Sequence, residues 1–209
     1  MAARIEHLVT AGQFTLDGGT WDVDNNVWII GDDTEAVVID AAHDAAAIAE
    51  AVGDRQLVAV ICTHAHNDHI DAAPELAART GATIWLHPDD LPLWKQTHPD
   101  RTPGGELADG QIMVVAGVEL TVLHTPGHAP GAVCLYAPTL NALFSGDTLF
   151  AGGPGATGRS YSHFPTIVDS IRDRLLGLPE DTVVYTGHGD TTTVGAEAPH
   201  LQEWIDRGF

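Results

Sequence analysis

Short apolar runs broken by turn-forming residues open the chain. The turn signals Asp17-Gly18-Gly19 and Gly31-Asp32-Asp33 separate predicted strands in the first 42 residues, among them 26–30 and 36–40. An Ala-rich stretch over 44–52 predicts a helix, with Asp44 as its N-cap and Gly53 as its stop. Residues 57–62 form a continuous apolar run of the buried-strand type. A helix over 71–80 ending at Gly81 and a strand over 82–86 follow. Residues 88–110 are rich in Pro, Asp and Gly, with one short helix near 91–97. The second half repeats this logic. Strands are predicted at 112–116, 118–123, 132–136, 142–145 and 182–186, with a Gly-rich loop at 151–163. A helix over 165–176 carries Ile167, Ile171, Leu175 and Leu176 on one face, and a last helix covers 196–207. Strand runs interleaved with helices in both halves predict a sheet-on-sheet sandwich covered by helices.

Composition narrows this picture. The 209 residues suit a single domain over 1–209, and 44% hydrophobic content is that of a globular fold. The formal net charge is −20, from 29 acids against 9 bases, with Lys95 the one lysine. Residues 1–54 hold 11 acids and one base. No basic cluster exists to bind phosphates or an anionic membrane surface, so neither nucleic acid nor membrane is expected as a partner. No signal peptide or spanning segment is visible, and Cys62 and Cys134 sit in apolar strand-like runs as small buried residues. A cytoplasmic location is the expectation.

Twelve histidines is a high count, and their spacing carries the chemistry. Directly after the buried run comes Thr63-His64-Ala65-His66-Asn67-Asp68-His69. In an extended backbone His64, His66 and Asp68 point the same way, while Asp68 and His69 stand at a predicted helix start. Imidazole nitrogen and carboxylate oxygen are ligands for zinc or iron. Three histidines and an aspartate within six residues exceed what one tetrahedral ion takes from so short a segment. Two metals side by side are expected, one served by His64 and His66, the other by Asp68 and His69. His128, Asp147 and His188 each follow an apolar strand and sit beside glycine, so as a set they converge on one edge of the sandwich.

The string 64–69, followed by His128, Asp147 and His188, resembles the metallo-β-lactamase-fold hydrolase superfamily over nearly the whole chain. Thr-Pro-Gly-His-Ala-Pro-Gly at 125–131, Ser-Gly-Asp-Thr-Leu-Phe at 145–150, Gly158-Arg159 and Thr-Gly-His-Gly-Asp at 186–190 resemble its short, glyoxalase II-like branch. The resemblance implies an α+β fold, the αββα sandwich of two packed mixed sheets flanked by helices. It also implies a ligand set: His64, His66 and His128 for the first metal, Asp68, His69 and His188 for the second, and Asp147 bridging both. The chain departs from the family pattern at Ile70-Asp71-Ala72, at Ser160-Tyr161-Ser162-His163 and at Asp190. Glutathione-using members carry an added C-terminal helical domain with basic residues. This sequence, ending at Phe209, has no counterpart, so the acyl carrier is open.

The expected chemistry follows. Two divalent ions, zinc first with iron or manganese as alternatives, hold a bridging hydroxide and polarise a carbonyl. The substrate is a small acyl-thiol, hydrolysed by a monomer or homodimer. Asp68, beyond ligation, accepts a proton from the bridging water. Asp40, Thr63 and Thr186 are expected to orient ligand imidazoles through their other nitrogen. Arg159, Tyr161 and His163 are candidate substrate contacts. Cys62 is expected to be structural, His124 a strand-end residue, and His7, His43, His87, His98 and His200 surface or packing residues. The alternatives are a one-iron persulfide dioxygenase of the same fold and a lactonase.

Overall fold

The computed structural model describes residues 2–208. The first sheet has six strands in chain order: β1 (Arg4–Leu16), β2 (Gly19–Gly31), β3 (Glu35–Ile39), β4 (Gln56–Ile61), β5 (Thr83–Leu86) and β6 (Gly105–Glu106). Its first three strands are antiparallel and β3 to β6 run parallel, so the sheet is mixed. The second half supplies β7 (Ile112–Val115), β8 (Val118–His124), β9 (Val133–Ala137) and β10 (Ala142–Gly146). A small hairpin of β11 (Leu149–Phe150) and β12 (Gly153–Pro154) precedes β13 (Val183–Thr186) and β14 (Thr192–Thr193). The second sheet also has six strands, in the order β14-β13-β10-β9-β8-β7.

Strand alternation builds the layers. In β3, Val37 and Ile39 face the other sheet and meet Leu120, Val122, Leu135 and Phe144 in the central core. Ala36 and Val38 face the opposite way, under the helices α1 (Ala45–Val52), α3 (Ala73–Thr80) and α4 (Leu91–Thr97). On the far side, Cys134, Leu143 and Val184 pack against α5 (Phe164–Ser170) and Trp204 of α7 (Leu201–Arg207). Helices outside two packed sheets give the αββα order. Asp44 caps α1 as expected, accepting the N–H groups of Ala46 and Ala47.

Four expectations need correction. Asp68 is not the third residue of an extended run, because α2 (Asn67–Ile70) starts right after His66. The helix expected from residue 71 begins at Ala73. The helix expected over 165–176 is α-helical only to Ser170. It widens into a π turn at Ile171–Leu175, where Leu176 N–H reaches Ile171 O, and Leu176 itself is only partly buried. The last helix is broken into α6 (Val194–Glu197), a 3₁₀ turn (Ala198–His200) and α7. Pro199 has no N–H to donate, so one regular helix cannot pass through it. The two-residue strands β6 and β14 and the hairpin β11–β12 were invisible to patterning, which needs about four residues to show a period.

Phe144 is fully buried between the sheets. Phe144→Ala is expected to cost about 3–5 kcal/mol in urea denaturation. A loss below about 1 kcal/mol would contradict the placement of the core.

Candidate metal centre

Four segments meet at one edge of the sandwich. The loop after β4 carries His64 and His66 and leads into α2 with Asp68 and His69. The loop after β8 carries His128, the end of β10 delivers Asp147, and the turn after β13 delivers His188. Glycine makes two of these approaches feasible. Gly146 has φ +49°, and a Cβ there would lie 2.3 Å from Thr63 Oγ1. A Cβ on Gly187 would lie 2.2 Å from Asp147 Oδ1 and 2.8 Å from His69 Cε1.

The hydrogen bonds fix the tautomers. His128 Nδ1 lies 2.8 Å from Ala156 O and His188 Nδ1 2.7 Å from Asp24 O. A carbonyl only accepts, so both Nδ1 atoms carry the proton. His69 Nδ1 donates to Asp40 Oδ2 at 3.0 Å. Thr63 Oγ1 gives its proton to Asp40 Oδ2 and so accepts from His64 Nδ1 at 3.1 Å. In its neutral form each of these four imidazoles therefore turns an Nε2 lone pair inward.

Those lone pairs converge in two groups. His66 Nδ1 lies 3.1 Å from His64 Nε2 and 3.0 Å from His128 Nε2. His69 Nε2 lies 3.2 Å from His188 Nε2, and Asp68 Oδ2 is 3.3 Å from His188 Nε2. Asp147 stands between the groups. Its Oδ1 is 3.4 Å from His69 Nε2, and its Oδ2 is 3.5 Å from both His128 Nε2 and His188 Nε2. Facing lone pairs repel unless a proton or metal ion sits among them. Asp68 Oδ1 and Asp147 Oδ1 are buried with no hydrogen-bond partner, as is His66 Nε2. This donor set fits one cation at His64, His66 and His128 and another at Asp68, His69 and His188.

Electrostatics agree. Burial lowers the pKa of His64, His66 and His128, that of His66 to about 3, which keeps them as neutral ligands. Burial also opposes charge on His188, but Asp147 and Asp68 outweigh it and raise that imidazole to about 10. His69 is raised too, burial being overcome by Asp147, Asp68 and Asp40. For Asp68, burial is outweighed by His69, His188 and Asn25, which hold the carboxyl at about 2. The cluster thus favours positive charge, as protons or as metal ions.

The supporting residues divide. Asp40 accepts from Thr63 N, Thr63 Oγ1 and His69 Nδ1, so both its oxygens orient the loop rather than face the centre. Thr186 touches no ligand ring, contrary to expectation. Its hydroxyl donates to His188 O and Asp190 O and shapes the turn. Arg159 lies 4.2 Å over the Trp21 ring and 5.5 Å from that of Phe14. Tyr161 is exposed, with its hydroxyl accepting from Gln96 Nε2. The His163 ring is engaged with Thr166 at the start of α5, and its backbone N–H donates to Gly127 O in the loop of His128. Cys62 is fully buried, and burial raises its thiol well above the ordinary range.

Sequence reasoning missed three contributors. Asn25, on β2, donates to Asp68 Oδ2 at 3.0 Å and accepts from His43 Nε2, whose Nδ1 meets Asp71. Asn26 ties β2 to the turn that bears His188, through Thr186 O and Gly189 O. Two asparagines in a strand, where they are disfavoured, were the available signal. Asp90 is the third. Fully buried, it accepts Ala65 N–H at 2.8 Å and Gly131 N–H at 2.5 Å, joining the loop of His64 and His66 to that of His128. Another grouping, His87, Asp89 and His124, is no match for the main cluster. The two rings stack at 4.1 Å and 12°, and an ion lying in the plane of one cannot lie in the plane of the other. His124 Nε2 instead donates to Pro130 O and braces the loop of His128.

A family model described as the metallo-beta-lactamase superfamily matches residues 20–188. The chain belongs to that superfamily, whose members are in general metal-dependent hydrolases. Hydroxyacylglutathione hydrolase GloC of Haemophilus influenzae is 30% identical over 181 residues, covering 79% of this chain and 85% of its own. Among solved structures, TTHA1623 in a di-iron-bound form is 32% identical with a TM-score of 0.76, covering 84% of this chain and 93% of its own. ETHE1 from Myxococcus xanthus is 26% identical with a TM-score of 0.74, covering 94% and 88%.

Burial raises the Asp90 carboxyl from 3.8 to about 6, against the lowering effect of its two N–H donors. The folded chain then holds this proton more tightly than the unfolded one. The stabilisation is complete below about pH 4 and lost as pH rises through about 6, a change of about 3 kcal/mol. Asp90→Asn is expected to remove that slope. The stability of the parent minus that of the variant should be larger at pH 4.5 than at pH 7.5 in urea titrations, and a constant difference would refute the assignment.

Proposed function

We propose that the protein is a thiolester hydrolase acting on small acyl-thiols, with two divalent ions, zinc first and iron or manganese as alternatives. His64, His66 and His128 would hold one ion, Asp68, His69 and His188 the other, and Asp147 would join both. The observation that carries this reading is the convergence of four fixed Nε2 lone pairs into two groups, with one carboxylate, Asp147, standing within 3.5 Å of Nε2 atoms from both. Such ions supply Lewis acidity, which lowers the pKa of a water and polarises a carbonyl.

The chain's own residues do the rest. Asn25 holds Asp68 by Oδ2, leaving Oδ1 free of partners to take the proton of the attacking water. Asp40, Thr63 and the carbonyls of Ala156 and Asp24 keep the imidazoles from rotating. Arg159, which lines a small pocket with His66 and His128, and Tyr161, hydrogen-bonded to Gln96, would serve as substrate contacts. No thiol is needed as nucleophile, since Cys62 is buried and protonated. The likeness to GloC supports the thiolester class, and that to TTHA1623 supports two metals. A second reading is a one-iron persulfide dioxygenase of the same fold. That enzyme would leave Asp68, His69 and His188 without a metal to bind, although here they are as well oriented as the first group.

Metal analysis with a panel of thiolesters, lactones and persulfides tests the proposal. Two metal equivalents and thiolester turnover are expected. One iron with oxygen uptake on a persulfide, or turnover of lactones alone, would replace it. Asp147→Ala is expected to lower thiolester turnover by at least about 10³-fold while the circular dichroism spectrum stays native. Full activity in that variant would contradict the ligand assignment.

A further inference from the structure

Next to the centre lies a groove of about 340 Å³, within the range of small-molecule sites. His66 forms part of its floor. One wall is the turn between β1 and β2, with Thr15, Asp17 and Thr20, and the other is α4, with Gln96 and Thr97. His66 thus serves two spaces. Its Nδ1 faces His64 and His128, while its buried Nε2 has no partner. A ligand filling the groove lies beside His66, a residue that also belongs to the ligand cluster. The rim is joined by two contacts to the loop after β12. Ser160 N–H donates to Asp17 at 3.0 Å, and Gln96 Nε2 donates to Tyr161 Oη at 3.2 Å. Tyr161 adopts φ +70°, a backbone state disfavoured for a bulky residue and common at ligand sites.

The lining has a definite chemical character. No lysine or arginine belongs to it, and Asp17 is its one charged group. The remaining polar groups are hydroxyls and amides. The hydroxyls of Thr15, Thr20 and Thr97 have no hydrogen-bond partner among the described residues. Arg159, the cation near this rim, is already stacked on Trp21 and interacts with Asp17. A carboxylate-bearing ligand would meet Asp17, and the lining itself supplies no base, the nearby Arg159 being already engaged with Trp21 and Asp17. A ligand rich in hydroxyls would find donors, acceptors and a carboxylate that accepts from its OH groups.

We propose that this groove holds the carrier portion of the acyl-thiol, and that the carrier is an uncharged, hydroxyl-rich, sugar-like thiol rather than an anionic peptide thiol such as glutathione. The identification of the ligand as a thiol carrier rests on the thiolester reading above. The selectivity of the groove rests on its lining alone.

The test is direct binding to the metal-loaded protein, followed by calorimetry or ligand-observed NMR. The probes are methyl 1-thio-β-D-glucopyranoside and S-methylglutathione, neither of which has a free thiol to bind metal. The sugar probe is expected to bind at least about tenfold more tightly. Gln96→Ala and Thr97→Val should each weaken it, and Thr97→Arg, which adds a cation to the lining, should shift preference towards S-methylglutathione. Melting temperatures of the variants establish that they fold. Equal or tighter binding of S-methylglutathione, binding of neither probe, or preferences untouched by all three folded variants would overturn the proposal. Thiolester turnover is read separately. Its absence with the sugar preference intact would remove the hydrolase reading and leave the groove's selectivity standing.

Discussion

Two buried carboxylates that face away from the reacting space hold the centre together. Asp40 gathers the Thr63 N–H, the Thr63 hydroxyl and the His69 ring, and does so from a left-handed backbone at φ +55°. Asp90 receives one N–H from between His64 and His66 and another from the loop of His128. Loops are the mobile parts of a fold, and a metal site needs ligands placed within fractions of an ångström. Charge-assisted hydrogen bonds to backbone N–H groups in a dry interior supply that rigidity. In the first group the His64 ring depends on Asp40 through Thr63, and the loops that carry His66 and His128 are tied together by Asp90.

Much of this was legible in the sequence, for identifiable reasons. The apolar runs at 57–62 and 142–145 are buried on both sides, so they read as continuous hydrophobic stretches and announced the strands that deliver the ligands. The seven residues brought together were also those that the spacing and the family resemblance pointed to. What stayed hidden was long-range. Asn25 and Asp68 lie 43 positions apart, and Asp90 and Gly131 lie 41 apart. No local pattern connects such pairs, and Asp90 in a Pro- and Asp-rich stretch resembles any turn acid until it is seen to be buried. Thr186 was misjudged for the opposite reason. Its place beside His188 suggested contact with the ring, but its hydroxyl turned to the backbone instead.

The formal charge of −20 also takes on structure. Several arginines are committed to acids far from the centre: Arg4 to Asp33, Arg174 to Asp109 and Arg172 to Asp169 and Asp173. The centre itself concentrates nitrogen lone pairs and two ionised carboxylates in a largely buried pocket. Its preference for cations is therefore local and steep, while the acidic surface is diffuse and screened by salt.

The contact between His69 and His188 spans 119 positions and joins the first sheet's loop to the second sheet's last turn. A chain still emerging during synthesis has His64 to His69 in place long before His188 exists. Neither half can offer the full donor set, so an ion selective for it recognises only the finished sandwich. By mass action such an ion stabilises the union of the two halves rather than either one. Metal uptake would then act as a check on completed folding, and a truncated or half-unfolded chain would fail it.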